Sequence, residues 1–240
     1  MKISVIIPTL NESLYIGETL DKLTEHITGG DRPEIIVLDS GSRDQTMDIV
    51  GKYPHVDLYS HPELKGQKFR ILNQGADYAT CEIFLFLDAD TIVPKGYNQL
   101  IVETVAAGFV GGAFEFRLDK RSPSLKLVEI INRARYRLGQ RYYGDQGIFC
   151  TRDVFYEVDG YPPKPIMESA AFCAKLRKKG RLQLIRKEAI TSSRRFTENS
   201  RGPLWVLAKD IWIFFLDKIG FSNQEIAEKY WKSNDRTPLE

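Results

Sequence analysis

Residues 84–90 read FLFLDAD, a short apolar run that stops at two carboxylates one residue apart, Asp88 and Asp90. Core burial does not explain the pair, because an unpaired buried carboxylate is costly. Two Asp at a strand end with one residue between them can share a divalent cation. Hard oxygen ligands suit Mg2+ or Mn2+, which keep waters and accept phosphate oxygens as further ligands. The same residues also suit the start of a loop, with Asp90 capping a turn before Pro94. Arg194 and Arg195, in SSRRF, are of the type that grips phosphate bidentately, and equally of the type that solvates a surface. Gly144 and Gly147 fit either a close approach of backbone to a pocket or a bulge at a strand end.

Regular alternation of elements must position these groups. ISVIIP is a β-branched strand, and a helical stretch follows Asn11. EIIVLD is a second strand, and SGSRDQTMDIVGKY reads as a turn entering a helix. VDLYS is a third strand. Gly66 to Thr80 then shows helical spacing through Phe69, Leu72 and Ala76, and EIFLFLD is the fourth strand. Strands apolar on both faces and separated by helices imply an α/β fold with a mostly parallel sheet between helix layers. Ligands of such sheets bind beyond the carboxyl ends of the strands. PTLNE, DSGSRD and DADT therefore share one rim.

The second half reads as a strand in FVGGAFEFRL, a helix over Ser122–Gln140, a short strand in YGDQGIFC and a helix over Ser169–Lys179. Ser122 is a plausible cap and Pro123 a first-turn residue. No repeat or low-complexity linker interrupts the chain. The expectation is one continuous domain over 1–200, with halves 1–95 and 96–200 sharing a sheet, and a helical tail over 203–232. In that tail Trp205, Trp212 and Ile219 recur every seventh position, with Leu204, Leu207, Ala208, Ile211 and Phe215 on the same broad face. Lys209, Asp210, Asp217 and Lys218 interrupt it, so it reads as an amphipathic helix rather than a membrane span. Its own domain is the default partner; a membrane interface and a second subunit are the alternatives.

The 240 residues are 42% apolar and 28% charged, the balance of an ordinary globular protein, and a net charge of +2 implies no general attraction to nucleic acid. Charge is uneven: Lys175 to Arg201 holds ten Lys or Arg against Glu188 and Glu198, a solvated face or an anion-binding one. Cys81, Cys150 and Cys173 form neither a disulfide framework nor a zinc site and suit a reducing compartment. His26, His55 and His61 lack metal-ligand spacing. MKISVIIPTLNE lacks the features of a signal peptide, so a cytoplasmic location is expected, with the tail helix as a peripheral contact.

The order PTLNE, VLDSGSRDQT, FLDADTIVP resembles the family 2 glycosyltransferases of the GT-A fold. GDQGIFCTRDVFYEVDGYP, PIMESAAFCAKLRKKGRL and ITSSRRF resemble a bacterial subgroup associated with radical-SAM or selenium-domain genes, so the likeness covers about residues 2–200. It implies an enzyme that takes a hexose-like sugar from a UDP- or GDP-linked donor, with Mn2+ or Mg2+ as cofactor. The Asp88-Ala89-Asp90 element would hold the cation on the diphosphate, and Asp39 would contact the nucleoside. Pro8, Thr9, Asn11 and Glu12 would line the nucleotide pocket. Lys68 and Arg70 stand where the family carries basic residues. No acceptor is implied.

The family usually supplies its general base as the Asp of a Glu-Asp pair at the start of a late helix. Here the matching residues are Glu168 and Ser169, and the Asp is missing. Glu168 or Asp145 would have to serve, or the acceptor would need no base; Glu168 also fits as a first-turn residue favoured by the helix dipole. A non-catalytic homologue that binds nucleotide-sugar or a partner protein is the rival reading. A Rossmann oxidoreductase is disfavoured, because IIPTLNE stands where G-x-G-x-x-G belongs. A nucleotidyltransferase would show a Gly-rich basic loop after the first strand, and none is present.

Overall fold

The computed structural model describes residues 1–139 and 141–218. The chain runs β1 (Ile3–Thr9), α1 (Ile16–Glu25), β2 (Glu34–Asp39), α2 (Thr46–Val50), β3 (Val56–Ser60), α3 (Lys68–Tyr78), β4 (Ile83–Phe86), β5 (Thr91–Ile92) and α4 (Tyr97–Ala106). It continues through β6 (Gly111–Leu118), α5 (Pro123–Gly139), β7 (Ile148–Thr151), α6 (Arg152–Glu157), α7 (Glu168–Leu176), β8 (Leu182–Thr191), α8 (Arg194–Thr197) and α9 (Pro203–Lys218). One sheet gathers the strands in the order β3-β2-β1-β4-β7-β6-β8-β5.

Alternation along each strand divides the core in two. Ile6, Leu38, Phe84 and Phe86 pack on one face with Ile71 and Leu72 of α3, Phe155 of α6 and Phe172 of α7. Val5, Ile7, Val37 and Leu85 pack on the other with Ile16, Leu20 and Leu23 of α1 and Tyr97 and Ile101 of α4. A period of two does this automatically once both faces are covered.

The first four strands are parallel, in register so that Thr9 lies opposite Asp39 and Ile6 opposite Phe86. The second half is mixed: β7 is antiparallel to both β4 and β6, β8 runs parallel to β6, and β5 is antiparallel to β8. Both β5 and β8 escape a sequence reading. Two residues are too short to carry a pattern, and β8 hides its apolar positions Leu182, Ile185 and Ala189 inside the basic stretch, where Arg186 and Lys187 point outward.

The expected helices at 122–140 and 169–179 appear as α5 and α7, shifted by a residue or more at their ends; Gln140 lies outside the described residues. The tail helix is present to Lys218, while Ile219 and the remainder of the expected 203–232 lie outside the described residues. Its packed face differs from the expected one. Val206, Leu207, Ile213 and Leu216 are buried, whereas Leu204, Ala208, Ile211, Trp212 and Phe215 stand exposed. The helix is apolar nearly all round, so a heptad count could not say which side meets the domain. Among the described residues no helix is long and apolar enough to cross a membrane.

Candidate functional site

The loops after β1 and β2 are stitched together at the sheet rim. Asp39 is fully buried; its Oδ1 accepts the Gly41 N–H at 3.0 Å and the Ser42 N–H at 2.8 Å, and its Oδ2 accepts the Ser42 and Thr9 hydroxyls. Asn11 takes a left-handed backbone, φ 56°. Its N–H donates to Ser42 Oγ and its Oδ1 accepts the Arg43 N–H, both at 2.8 Å. Asn tolerates this conformation better than most side chains. Next door, the Glu12 N–H donates to Thr46 Oγ1 at 2.8 Å and the Ser13 N–H to Asp44 Oδ2 at 3.1 Å. Ser42, Asp44 and Thr46 carry no motif of their own in the sequence; the density of Ser, Asp and Thr in DSGSRDQT is the one signal there that could mark them.

The acidic pair is held through its backbone. Leu87 N–H donates to Ile6 O at 3.0 Å, Thr19 Oγ1 donates to the carbonyl of Ala89 at 2.8 Å, and Ser192 N–H donates to the carbonyl of Asp90 at 3.2 Å. With its backbone groups so engaged, the segment is free to project both carboxylates. The β5–β8 pairing, which sets Thr91 opposite Thr191, is what delivers α8 to this spot.

Arg194 Nη2 consequently lies 2.6 Å from Glu12 Oε1 and 3.1 Å from Asp90 Oδ2, with its guanidinium 4.6 Å from the centre of the Tyr15 ring. Lys68, at the start of α3, reaches Asp88 Oδ1 at 2.6 Å. Gly144 closes the other side: a Cβ there would meet Asp88 Oδ1 and lie 2.7 Å from Oδ2. Asp145 follows at once, and Glu168 opens α7 with the Ser169 hydroxyl donating to its Oε1 at 3.1 Å. Pro8 is half-buried in β1.

Negative charge is in excess here. Burial raises the Glu12 pKa against the opposing effect of Arg194, and the charges of Asp90 and Asp88 push it further; Glu12 Oε2 is buried without a hydrogen-bond partner. Burial, then the Asp88 charge, raises Asp90. Burial would lower the Lys68 pKa, but the fields of Asp88, Glu168 and Asp145 outweigh it and the ammonium is held. Glu12, Asp88 and Asp90 thus share Lys68 and Arg194, with the fields of Glu168 and Asp145 also felt at Lys68.

Two of the expected basic residues face elsewhere. Arg70 is exposed and donates to Gln67 Oε1 at 3.0 Å. Arg195 pairs with Asp210 of α9. Among the described residues no three His, Cys, Asp or Glu side chains form a ready-made metal cluster. Glu12, Asp88 and Asp90 nonetheless offer only hard oxygens, and Mg2+-type ions commonly take only one or two carboxylates together with waters and phosphate.

Comparison with known proteins places this rim in context. Residues 4–156 match the pattern of the family described as Glycosyl transferase family 2. A PGL/p-HBAD biosynthesis glycosyltransferase of Mycobacterium bovis is 32% identical over 161 residues, which are 64% of this chain and 58% of that protein. The chain therefore spans a little over half the length of that relative. In fold it resembles the mannosyltransferase PcManGT from Pyrobaculum calidifontis in complex with GDP-Man and Mn2+, with TM-score 0.68, 24% identity, and coverage of 91% of this chain and 64% of that one. It also resembles Staphylococcus aureus TarS 1–349 in complex with UDP-GlcNAc, with TM-score 0.64, 22% identity, and coverage of 81% and 59% respectively.

Proposed function

The chain belongs to glycosyl transferase family 2, and on that premise we propose that it is a metal-dependent, inverting glycosyltransferase with a nucleotide-diphosphate sugar as donor. Within the family we place it in the subgroup that its GDQG, PIMES and SSRRF segments resemble. The observation that carries the reading is the convergence of Glu12, Asp88 and Asp90 with Lys68 and Arg194 beyond the carboxyl ends of β1 and β4. Ligands present in the two fold neighbours support a UDP- or GDP-linked donor, and that of PcManGT supports Mn2+.

Asp88 and Asp90 would hold Mn2+ or Mg2+, which when bound offsets charge developing on the departing diphosphate. Residues 1–95 form the donor half. Pro8, Thr9, Asn11 and Asp39 shape the nucleoside pocket, and the backbone at Ala89 fixes the spacing of the acidic pair. Lys68 supplies fixed positive charge beside the diphosphate. Arg194 exchanges a carboxylate for a phosphate oxygen, a partner that guanidinium matches in geometry. Arg70 and Arg195 join only by leaving Gln67 and Asp210, so their contribution is secondary.

Residues 96–200 form the acceptor half. The acceptor oxygen attacks the anomeric carbon from the face opposite the diphosphate, the carbon–oxygen bond to the diphosphate breaks, and configuration inverts. The acceptor proton passes to Glu168, or to Asp145, both close enough to Lys68 for their fields to be felt there. A second reading, a donor-binding homologue without turnover, rests on the Ser169 hydroxyl standing where the family's Asp is expected and serving only to bond Glu168.

Isothermal titration of UDP and GDP with Mn2+, alongside a donor-hydrolysis assay, separates the two. Binding with hydrolysis supports the enzyme; binding without turnover across acceptors supports the homologue. Absence of binding contradicts both.

A further inference from the structure

Helix α9 is apolar on both sides, yet among the described residues only one side is covered. Its inner side packs Val206 and Leu207 into the main core, and Ile213 and Leu216 onto Ile166 and Met167, immediately before Glu168. Its outer side presents Leu204, Ala208, Ile211, Trp212 and Phe215, spaced i, i+4, i+7, i+8, i+11 and therefore one continuous stripe. Leu204 and Ile211 are each 51% exposed, Trp212 58% and Phe215 53%, and no charged residue interrupts them. The Trp212 and Phe215 rings stack on the solvent side. Helix α5, packed against α9, shows the same feature: Pro123, Leu127, Ile130 and Ala134 are exposed on one face. An apolar surface this long on a water-facing pair of helices marks a contact site.

Charge around the stripe selects the occupant. Of the basic residues over 119–139, Arg133 and Arg137 pair with Glu115 and Glu188, and Arg121 pairs with Glu129, which leaves Lys120 and Lys126, among the described side chains, as the exposed basic charges beside the stripe. Glu129 is turned inward to the Leu118 N–H and Arg121, while Lys120 and Lys126 stand in solvent. A second copy meeting this face about a two-fold axis would set basic residues against basic residues. An anionic bilayer complements both features, taking the aromatic and aliphatic side chains at the headgroup boundary and the lysines at its phosphates.

We propose that the outer faces of α9 and α5 dock the protein on an anionic membrane surface. Arg195 pairs with Asp210 of α9, and the adjacent Arg194 reaches Glu12 and Asp90, so the docked helix stands one short element away from the acidic rim. Docking thus brings the rim to the bilayer without any segment crossing it.

Co-sedimentation of the purified full chain with vesicles tests the proposal independently of any donor. The protein is expected to pellet with phosphatidylcholine–phosphatidylglycerol vesicles, less with phosphatidylcholine alone, and less again as salt is raised. Trp212→Ser with Phe215→Ser should lower the partition coefficient by about tenfold or more, with circular dichroism melting unchanged. Lys120→Glu with Lys126→Glu should weaken binding to the anionic vesicles only. Three results would overturn it: no binding to either vesicle; a dimer in light scattering that the Trp212/Phe215 variant dissociates; or vesicle binding that appears only after residues 219–240 are deleted.

Discussion

Gly144→Ala is a small change with a large expected consequence. Gly144 is not among the residues with positive φ, so alanine is acceptable to the backbone there. The added methyl would meet Asp88 Oδ1 and lie 2.7 Å from Oδ2 and 2.8 Å from Cγ, well inside contact distance. The carboxylate must turn away, at about 0.5–1.5 kcal/mol for an off-rotamer side chain. In turning it gives up its 2.6 Å bond to Lys68. A charge-assisted bond contributes about 1.5–3 kcal/mol, and partial exposure of both groups favours the lower end. Together these give about 2–3 kcal/mol of folding stability. Chemical denaturation of the ligand-free protein reads this directly. Gly139→Ala is the control, since its methyl meets only the Arg141 side chain at 3.7 Å. A double-mutant cycle isolates the cause: in an Asp88→Ala background, Gly144→Ala should leave the melting temperature unchanged. Wild-type stability in Gly144→Ala, or an equal loss of melting temperature in both backgrounds, would refute the reasoning.

Further outcomes follow from the same geometry. Burial raises the folded pKa values of Glu12 and Asp90 above their ordinary values, so their protons favour the folded state and stability falls as pH rises from the ordinary values through the raised ones. Melting curves of the metal-free protein should therefore decline over this window, less steeply in Glu12→Gln, and Mn2+ should stabilise more at its upper end than at its lower; a flat profile contradicts the charge excess. Asp44 behaves oppositely. Although burial works against it, bonds from Thr46 and Ser13 bring its pKa down to about 2, so its contribution is present above the ordinary Asp value and is lost as pH falls toward 2. Asp44→Asn should destabilise at neutral pH, with the difference from wild type closing in acid, as chemical denaturation at several pH values would show. For proton transfer, single-turnover rates of Glu168→Gln and Asp145→Asn should separate, the true base losing about 100- to 10,000-fold. Equal, unimpaired rates would remove both candidates.

The first half of the molecule was legible because its central strands β1, β2 and β4 are buried on both faces. ISVIIP, EIIVLD and FLF cannot be anything but interior, and the polar residues that end them mark one rim. FLFLDAD could be read as a strand running into two carboxylates because the apolar run stops where the sheet stops. What sequence could not give is the long-range pairing. Arg194 is 182 residues from Glu12, and the β5–β8 and β6–β8 pairings bring the two together. The first of these rests on a two-residue strand and on a strand masked by a basic run. Arg194 and Arg195 are equivalent in sequence, yet α8 turns one toward Asp90 and the other toward Asp210. The tail fails for a different reason. Its apolar residues surround the helix, and periodicity identifies a face only when polar residues mark the opposite one.

Anomalous diffraction from crystals grown with Mn2+ and UDP or GDP tests the central claim most directly. The account predicts a manganese peak within coordinating distance of Asp88 or Asp90, bridged to the diphosphate, with Arg194 released from Glu12 or Asp90 toward a phosphate oxygen. Nucleotide bound away from this rim, or manganese held by other side chains, would contradict it.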